Sequence, residues 1–114
     1  MQIKLPNEQF IYFGDTAHLP YGDKSEDALV GYVTAITRFL KEKNCKMIVV
    51  ACNSATTVIN KTNELPYTSS QIVEVISPIV SLVATQTKYT KIGIIGTRKT
   101  INSGMFNQAL ADLN

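Results

Sequence analysis

A cysteine, an amide and a run of hydroxyls stand together at Cys52-Asn53-Ser54-Ala55-Thr56-Thr57. A thiol can act as nucleophile or base, and an amide and hydroxyls beside it can hold a polar substrate in place. Two other short clusters have a similar make-up: Gly14-Asp15-Thr16 with Pro20-Tyr21-Gly22, and Gly96-Thr97 with Thr100. A carbon acid or carboxylate lying among all three would meet a thiol, an amide, hydroxyls and backbone N–H groups. These are the parts for proton abstraction next to a carboxylate, with donors in place for the developing enolate charge.

The elements that would bring the clusters together can be read from the pattern of the chain. Met47-Ile48-Val49-Val50-Ala51 is an apolar, β-branched run, expected to be a strand buried on both faces of a parallel sheet. Cys52 then falls at the strand's carboxyl end, where the next helix, over about 54–63, begins. Open α/β sheets bind ligands at that edge, and a helix N-terminus favours an anion. Strands are also expected at 9–13, 72–76 and 91–96. Ser25 reads as the N-cap of a helix in which Leu29, Val33 (or Tyr32), Ile36 and Leu40 (or Phe39) share a face. Residues 79–85 are expected to be helical with Pro78 at the start, and 101–113 form an amphipathic helix. The order β-loop-α-β-α-β-α-β-α predicts an α/β fold, a parallel sheet with flanking helices and right-handed crossovers. All three polar clusters then lie on one edge. The chain opens on a loop and stops on a helix, so the sheet is expected to be incomplete, to expose apolar surface and to self-associate.

Each candidate has a plainer reading. A free cysteine is often a small buried hydrophobe, Asp15 could be a base but an Asp after a strand is more often a turn former, and Tyr21 serves equally as a gate or a loop anchor. His18 reads as loop surface, at the mouth of the site. Gly93-Ile94-Ile95-Gly96-Thr97-Arg98-Lys99-Thr100 superficially resembles a phosphate loop, but its spacing fails both G-x-x-x-x-G-K-[ST] and G-x-G-x-x-G.

Bulk properties narrow the classes. The 114 residues suffice for a small domain, and the net charge of +2 is spread along the chain, which leaves no nucleic-acid footprint. No apolar run approaches the ~20 residues that cross a membrane, and the first residues lack the apolar core of a signal peptide. A cytoplasmic protein is the default. The two cysteines, Cys45 and Cys52, flank a strand of ~16 Å, too far apart for a disulfide, which needs Cα atoms within about 7 Å. With a single histidine in the chain, a zinc site is not expected.

The order and approximate spacing of Ile11-Tyr12-Phe13-Gly14-Asp15-Thr16-Ala17, Pro20-Tyr21-Gly22, Ala51-Cys52-Asn53-Ser54-Ala55-Thr56 and Ile94-Ile95-Gly96-Thr97, with Thr100-Ile101 and Ser103, resemble glutamate racemase. That family belongs to the aspartate/glutamate racemase superfamily of cofactor-independent, two-cysteine enzymes. The resemblance implies interconversion of L- and D-glutamate for bacterial peptidoglycan, without pyridoxal phosphate. One thiolate removes the α-proton and a second cysteine on the opposite face returns one. Cys52 matches the first of these. Asn53 and Ser54 match the substrate-binding pair beside it, with Ser54 where threonine is frequent. Tyr21 and Gly22 match a loop that contacts the substrate, and Thr97 and Thr100 match hydroxyls offered by a second lobe.

On the same basis residues 1–85 are expected to be part of a first α/β lobe carrying the Cys52 loop, and 86–114 the start of a second. The family's opening strand with its Asp-Ser-Gly loop has no counterpart here. Neither has its second motif, which resembles Gly-Cys-Thr-His, and Cys45 falls at the wrong end of the strand to replace it. A chain truncated at both ends, with half of a site and little or no activity alone, is therefore expected. An aspartate or other acidic amino acid racemase, a non-catalytic anion- or nucleotide-binding α/β module, and a possible homodimer stay open.

Overall fold

The computed structural model describes residues 3–86 and 91–112. Its longest element is α1 (Glu26–Glu42), and the local chemistry explains both ends. Ser25 is extended at the N-cap, and its Oγ accepts the backbone N–H of Ala28 at 3.3 Å, while Glu26 and Asp27 place negative charge in the first turn. At the far end Asn44 takes a left-handed conformation with φ 59°, and the N–H of Cys45 closes onto the carbonyl of Leu40 at 3.1 Å. Asn is among the few residues with a side chain that adopt this conformation readily. The buried face is Leu29, Val33, Thr34, Thr37 and Leu40; of the expected stripe Ile36 is only half-buried, and two threonines are added. Thr37 escapes a burial penalty because its hydroxyl donates to the carbonyl of Val33 at 2.8 Å.

Two strands follow the expected parallel arrangement. β1 (Ile48–Val50) and β2 (Ile72–Glu74) pair in register Ile48↔Ile72, Val49↔Val73 and Val50↔Glu74. The crossover between them begins with α2 (Asn53–Ile59), which packs on α1. Leu29, Val33, Ala55, Val58 and Ile59 form one core cluster, and Leu40, Ile48 and Tyr67 form another, with Val50 and Ile72 packed against both. Tyr67 is anchored by its hydroxyl, which donates to the carbonyl of Cys45 at 2.9 Å. The other face of the sheet is open: Met47, Val49 and Val73 are all exposed.

The remaining elements correct the expected pattern. Residues 9–13 and 91–96 form no strand among the described residues, although both have strand-type composition. A strand exists through its ladder partner, and neither stretch finds one here. The expected third strand is shorter than 72–76, because Ile76 already opens α3 (Ile76–Gln86). The Glu74 carboxylate explains this early start: it accepts the backbone N–H groups of Ile76 at 2.5 Å and Ser77 at 2.9 Å. Pro78 thus sits inside the first turn, where an N–H has no intrahelical partner to lose. α2 stops at Ile59 rather than near residue 63, and its first turn is threaded by side-chain bonds from Thr56 and Thr57 to the carbonyls of Cys52 and Ser54. The expected tail helix is two, α4 (Arg98–Asn102) and α5 (Met105–Ala111), because Gly104 between them has φ 68°. Its expected last residue, Leu113, and residues 87–90 at the expected lobe boundary lie outside the described residues.

Candidate functional site

Cys52 is the N-cap residue of α2, held extended at φ −119° and ψ 117°, and its side chain makes no capping bond. The sulfur is therefore not spent on the helix, and the residue is exposed. Asn53 and Ser54 form the first turn behind it. The Oδ1 atom of Asn53 is enclosed yet has no hydrogen-bond partner among the described residues, an acceptor left over for a donor from outside the chain. Ser54 is buried and points across to another part of the chain: its Oγ lies 2.8 Å from Oγ1 of Thr97.

Thr97 is the N-cap of α4, and its Oγ1 accepts the backbone N–H of Thr100 at 3.3 Å. The same oxygen lies 3.0 Å from Oγ1 of Thr100, a residue only 2% exposed. Ser54, Thr97 and Thr100 thus form a chain of three hydroxyls that ties α2 to α4. Gly22 presses against it from the third side. A Cβ built on Gly22 would lie 2.8 Å from Cβ of Thr97, so only a residue without a side chain fits this approach.

Gly22 belongs to a 3-10 turn, Tyr21–Asp23, that follows a cis Leu19–Pro20 peptide. As the first residues of a helical turn, Tyr21 and Gly22 have N–H groups that the turn itself does not engage. The Tyr21 hydroxyl donates to Asp15 Oδ2 at 2.5 Å. His18 Nδ1 lies 2.8 and 2.9 Å from the two carboxylate oxygens of Asp15, and its ring stacks on Tyr32 with centroids 4.0 Å apart. A carboxylate only accepts, so the hydrogen belongs on Nδ1. Burial, and then the bond to Asp15 and its charge, push the Tyr21 phenol well above the usual range; the nearby Cys52 sulfur adds to this. The Tyr21 hydroxyl, more than burial opposes it, holds the Asp15 carboxyl below its usual value, and His18 acts in the same direction.

The candidates thus converge, although only the Cys52 loop follows an assigned strand. Cys52, Asn53 and Ser54, Tyr21 and Gly22, and Thr97 and Thr100 come from three separated segments and meet through the Ser54–Thr97 bond and the Gly22–Thr97 contact. Cys45 stands apart, before β1, and both cysteines are free. Sequence reasoning left Asp15 between a base and a turn former and read His18 as loop surface, and did not pair them. Their partnership carries no periodic signal, because residues 15–20 form an irregular loop through a cis Leu19–Pro20 peptide. A shallow cleft of about 530 Å³, lined by Gly22, Asp23, Lys24, Arg98, Lys99 and Asn102, lies beside these residues and does not include the thiol. Among the described residues, no helix is long and apolar enough to cross a membrane.

No family model matches the chain. It is 41% identical over 113 residues to the glutamate racemase of Limosilactobacillus reuteri strain DSM 20016, a match covering 97% of this chain and 41% of that protein. Among solved structures, glutamate racemase isoform RacE1 from Bacillus anthracis superposes with a TM-score of 0.89 at 35% identity, covering 99% of this chain and 42% of the other. The Francisella tularensis glutamate racemase, solved in complex with D-glutamate, gives a TM-score of 0.84 at 33% identity over 99% of this chain and 42% of its own. The chain spans about two-fifths of the length of the curated relatives it matches. In sequence and in fold it is homologous to that share of a glutamate racemase.

Proposed function

We propose that this chain carries one half of the proton-transfer site of a glutamate racemase, with Cys52 as the acid–base group on one face of the substrate. The observation that carries the reading is the convergence of the exposed Cys52 thiol with the Ser54–Thr97–Thr100 hydroxyl chain and the Tyr21–Gly22 turn. Homology to racemases and the D-glutamate bound in the Francisella tularensis enzyme favour glutamate as the substrate. The Cys52 thiolate takes the α-proton and becomes a thiol, and the electron pair left on carbon delocalises into the adjacent carboxylate. Asn53, Ser54, Thr97 and Thr100, with the free N–H groups of the Tyr21–Gly22 turn, hold the substrate and meet the developing charge.

Inversion needs a second acid on the opposite face, which the resemblance assigns to a second cysteine. Cys45 does not serve: it lies at the other end of β1. The 114 residues by themselves therefore exchange the α-proton of one enantiomer without racemising it. Residues 1–85 act as part of a first lobe and 86–114 as the opening of a second. The open sheet face at Met47, Val49 and Val73 is suited to association, including a homodimer. The setting is peptidoglycan precursor synthesis, as the resemblance implies, with the cytoplasm as the default compartment.

The test is α-proton exchange of L- and D-glutamate in heavy water, followed by NMR on samples shown to be folded by circular dichroism. Deuterium entering one enantiomer without inversion, and lost in Cys52→Ala, is the expected result. Absence of exchange in a folded chain would count against the reading, and faster exchange of aspartate would move the substrate. An inert Cys52 together with inorganic phosphate binding would favour a non-catalytic anion module instead.

A further inference from the structure

We propose that Asp15 is a positioning residue of this site: its carboxylate, bonded to the Tyr21 hydroxyl and to His18 Nδ1, fixes the Tyr21–Gly22 turn against Thr97. The inference rests on the racemase reading for its ligand but not for its geometry. Asp15 lies before the cis Leu19–Pro20 peptide and Tyr21 after it, so the carboxylate closes the loop across its width. Its side chain is 12% exposed, and both oxygens are engaged by His18, with Oδ2 shared by the phenol. His18 is in turn stacked at 4.0 Å and 20° on Tyr32 of α1, which also lies 6.0 Å from the Tyr21 ring. Asp15 thereby connects the loop to the rigid helix that carries the core.

The consequence reaches the site through one residue. Tyr21 is followed by Gly22, whose backbone meets Thr97 too closely to admit a Cβ. Thr97 bonds Ser54, two residues beyond the thiol. A loop held at both the Tyr21 ring and the Gly22 backbone keeps its N–H groups in fixed register with Cys52. Charge-assisted hydrogen bonds suit this task because they are about twice as strong as neutral ones. Asp15 touches no reacting atom in this scheme; it acts through Tyr21.

The test compares Asp15→Asn and Tyr21→Phe with the unmodified chain, using two readouts. The first is the Tyr21 titration, followed by NMR of chain labelled at tyrosine Cζ and assigned by its absence in Tyr21→Phe. In Asp15→Asn it should move down, with burial still keeping it above the ordinary phenol value. The second is the rate of Cys52 alkylation by iodoacetamide and its slowing by D-glutamate. Each variant should need about tenfold more D-glutamate for equal protection. An unmoved Tyr21 titration, or unchanged protection in either folded variant, would overturn the proposal. Should Asp15→Asn fail to fold, Tyr21→Phe carries the test, since it keeps the Asp15–His18 pair and deletes only the phenol bond. Should D-glutamate fail to protect the unmodified chain, the racemase reading is what fails, and the Tyr21 titration still decides whether Asp15 holds the turn.

Discussion

Replacing Gly22 with alanine tests the packing that joins the three segments of the site. The added Cβ would lie 2.8 Å from Cβ, 3.1 Å from Cγ2 and 3.3 Å from Oγ1 of Thr97. Ordinary contact begins at 3.4 Å, so Thr97 must withdraw by the difference between 2.8 and 3.4 Å, about 0.6 Å. Its hydrogen bond to Ser54, now 2.8 Å, would then stretch to roughly the limit of useful geometry. Overpacking of this kind costs about 1–3 kcal/mol, and the weakened hydroxyl bond accounts for about 1 kcal/mol of it. Gly31, exposed in the interior of α1 with nothing within 4 Å of its Cβ position, provides the control. There alanine should stabilise by about 0.5–1 kcal/mol through backbone entropy and helix propensity. Urea denaturation of both variants, read by circular dichroism, should give shifts of opposite sign. Equal stability of Gly22→Ala and the unmodified chain would refute the close approach.

Other expectations follow from the burial and charge described above. Iodoacetamide should modify the exposed Cys52 before the partly buried Cys45, as read by peptide mass spectrometry; the reverse order would contradict the site geometry. Leu29 is fully buried in the main core, so Leu29→Ala should cost about 2–5 kcal/mol in the same denaturation assay. The carboxyl of Asp15 has a folded value below the usual 3.8, so its stabilising contribution is present above that value. It is lost as pH falls through the folded value, and Asp15→Asn should flatten the acid limb of the stability profile.

The sequence made one part of the molecule readable because the information there is local. Ser25 followed by two acids, and apolar residues at helical spacing, specify α1 without reference to the rest of the chain. Val49 and Val50 with Cys52 after them placed the thiol at the end of a strand, and the strand is there. Residues 9–13 and 91–96 failed for the opposite reason. Their aromatic and β-branched residues favour an extended backbone, but pairing depends on a partner elsewhere. The start of α3 depended on a single carboxylate, Glu74, reaching forward over two backbone N–H groups. In the tail, apolar spacing suggested one helix over 101–113, whereas the left-handed backbone at Gly104 divides it in two in the structure. Within the site, the three polar clusters were legible by type, but the Ser54–Thr97 bond spans 43 residues and the Asp15 hub needs a folded loop.

The hydroxyl chain also has a sense of direction. Thr97 Oγ1 has one hydrogen to give and two lone pairs, and the Thr100 N–H occupies one lone pair. Of its two hydroxyl neighbours, one must therefore donate to it and the other must accept. When Thr100 donates to Thr97 and Thr97 to Ser54, the Ser54 hydrogen is free to turn toward a carboxylate. When the order reverses, Ser54 offers only lone pairs, which suit an ammonium group. Rotation of three hydrogens, with every heavy atom at rest, exchanges one state for the other. An amino acid carries both kinds of charge on groups bonded to one carbon, and under the proposed function the hydroxyl chain answers either, one at a time, without a shift of its backbone.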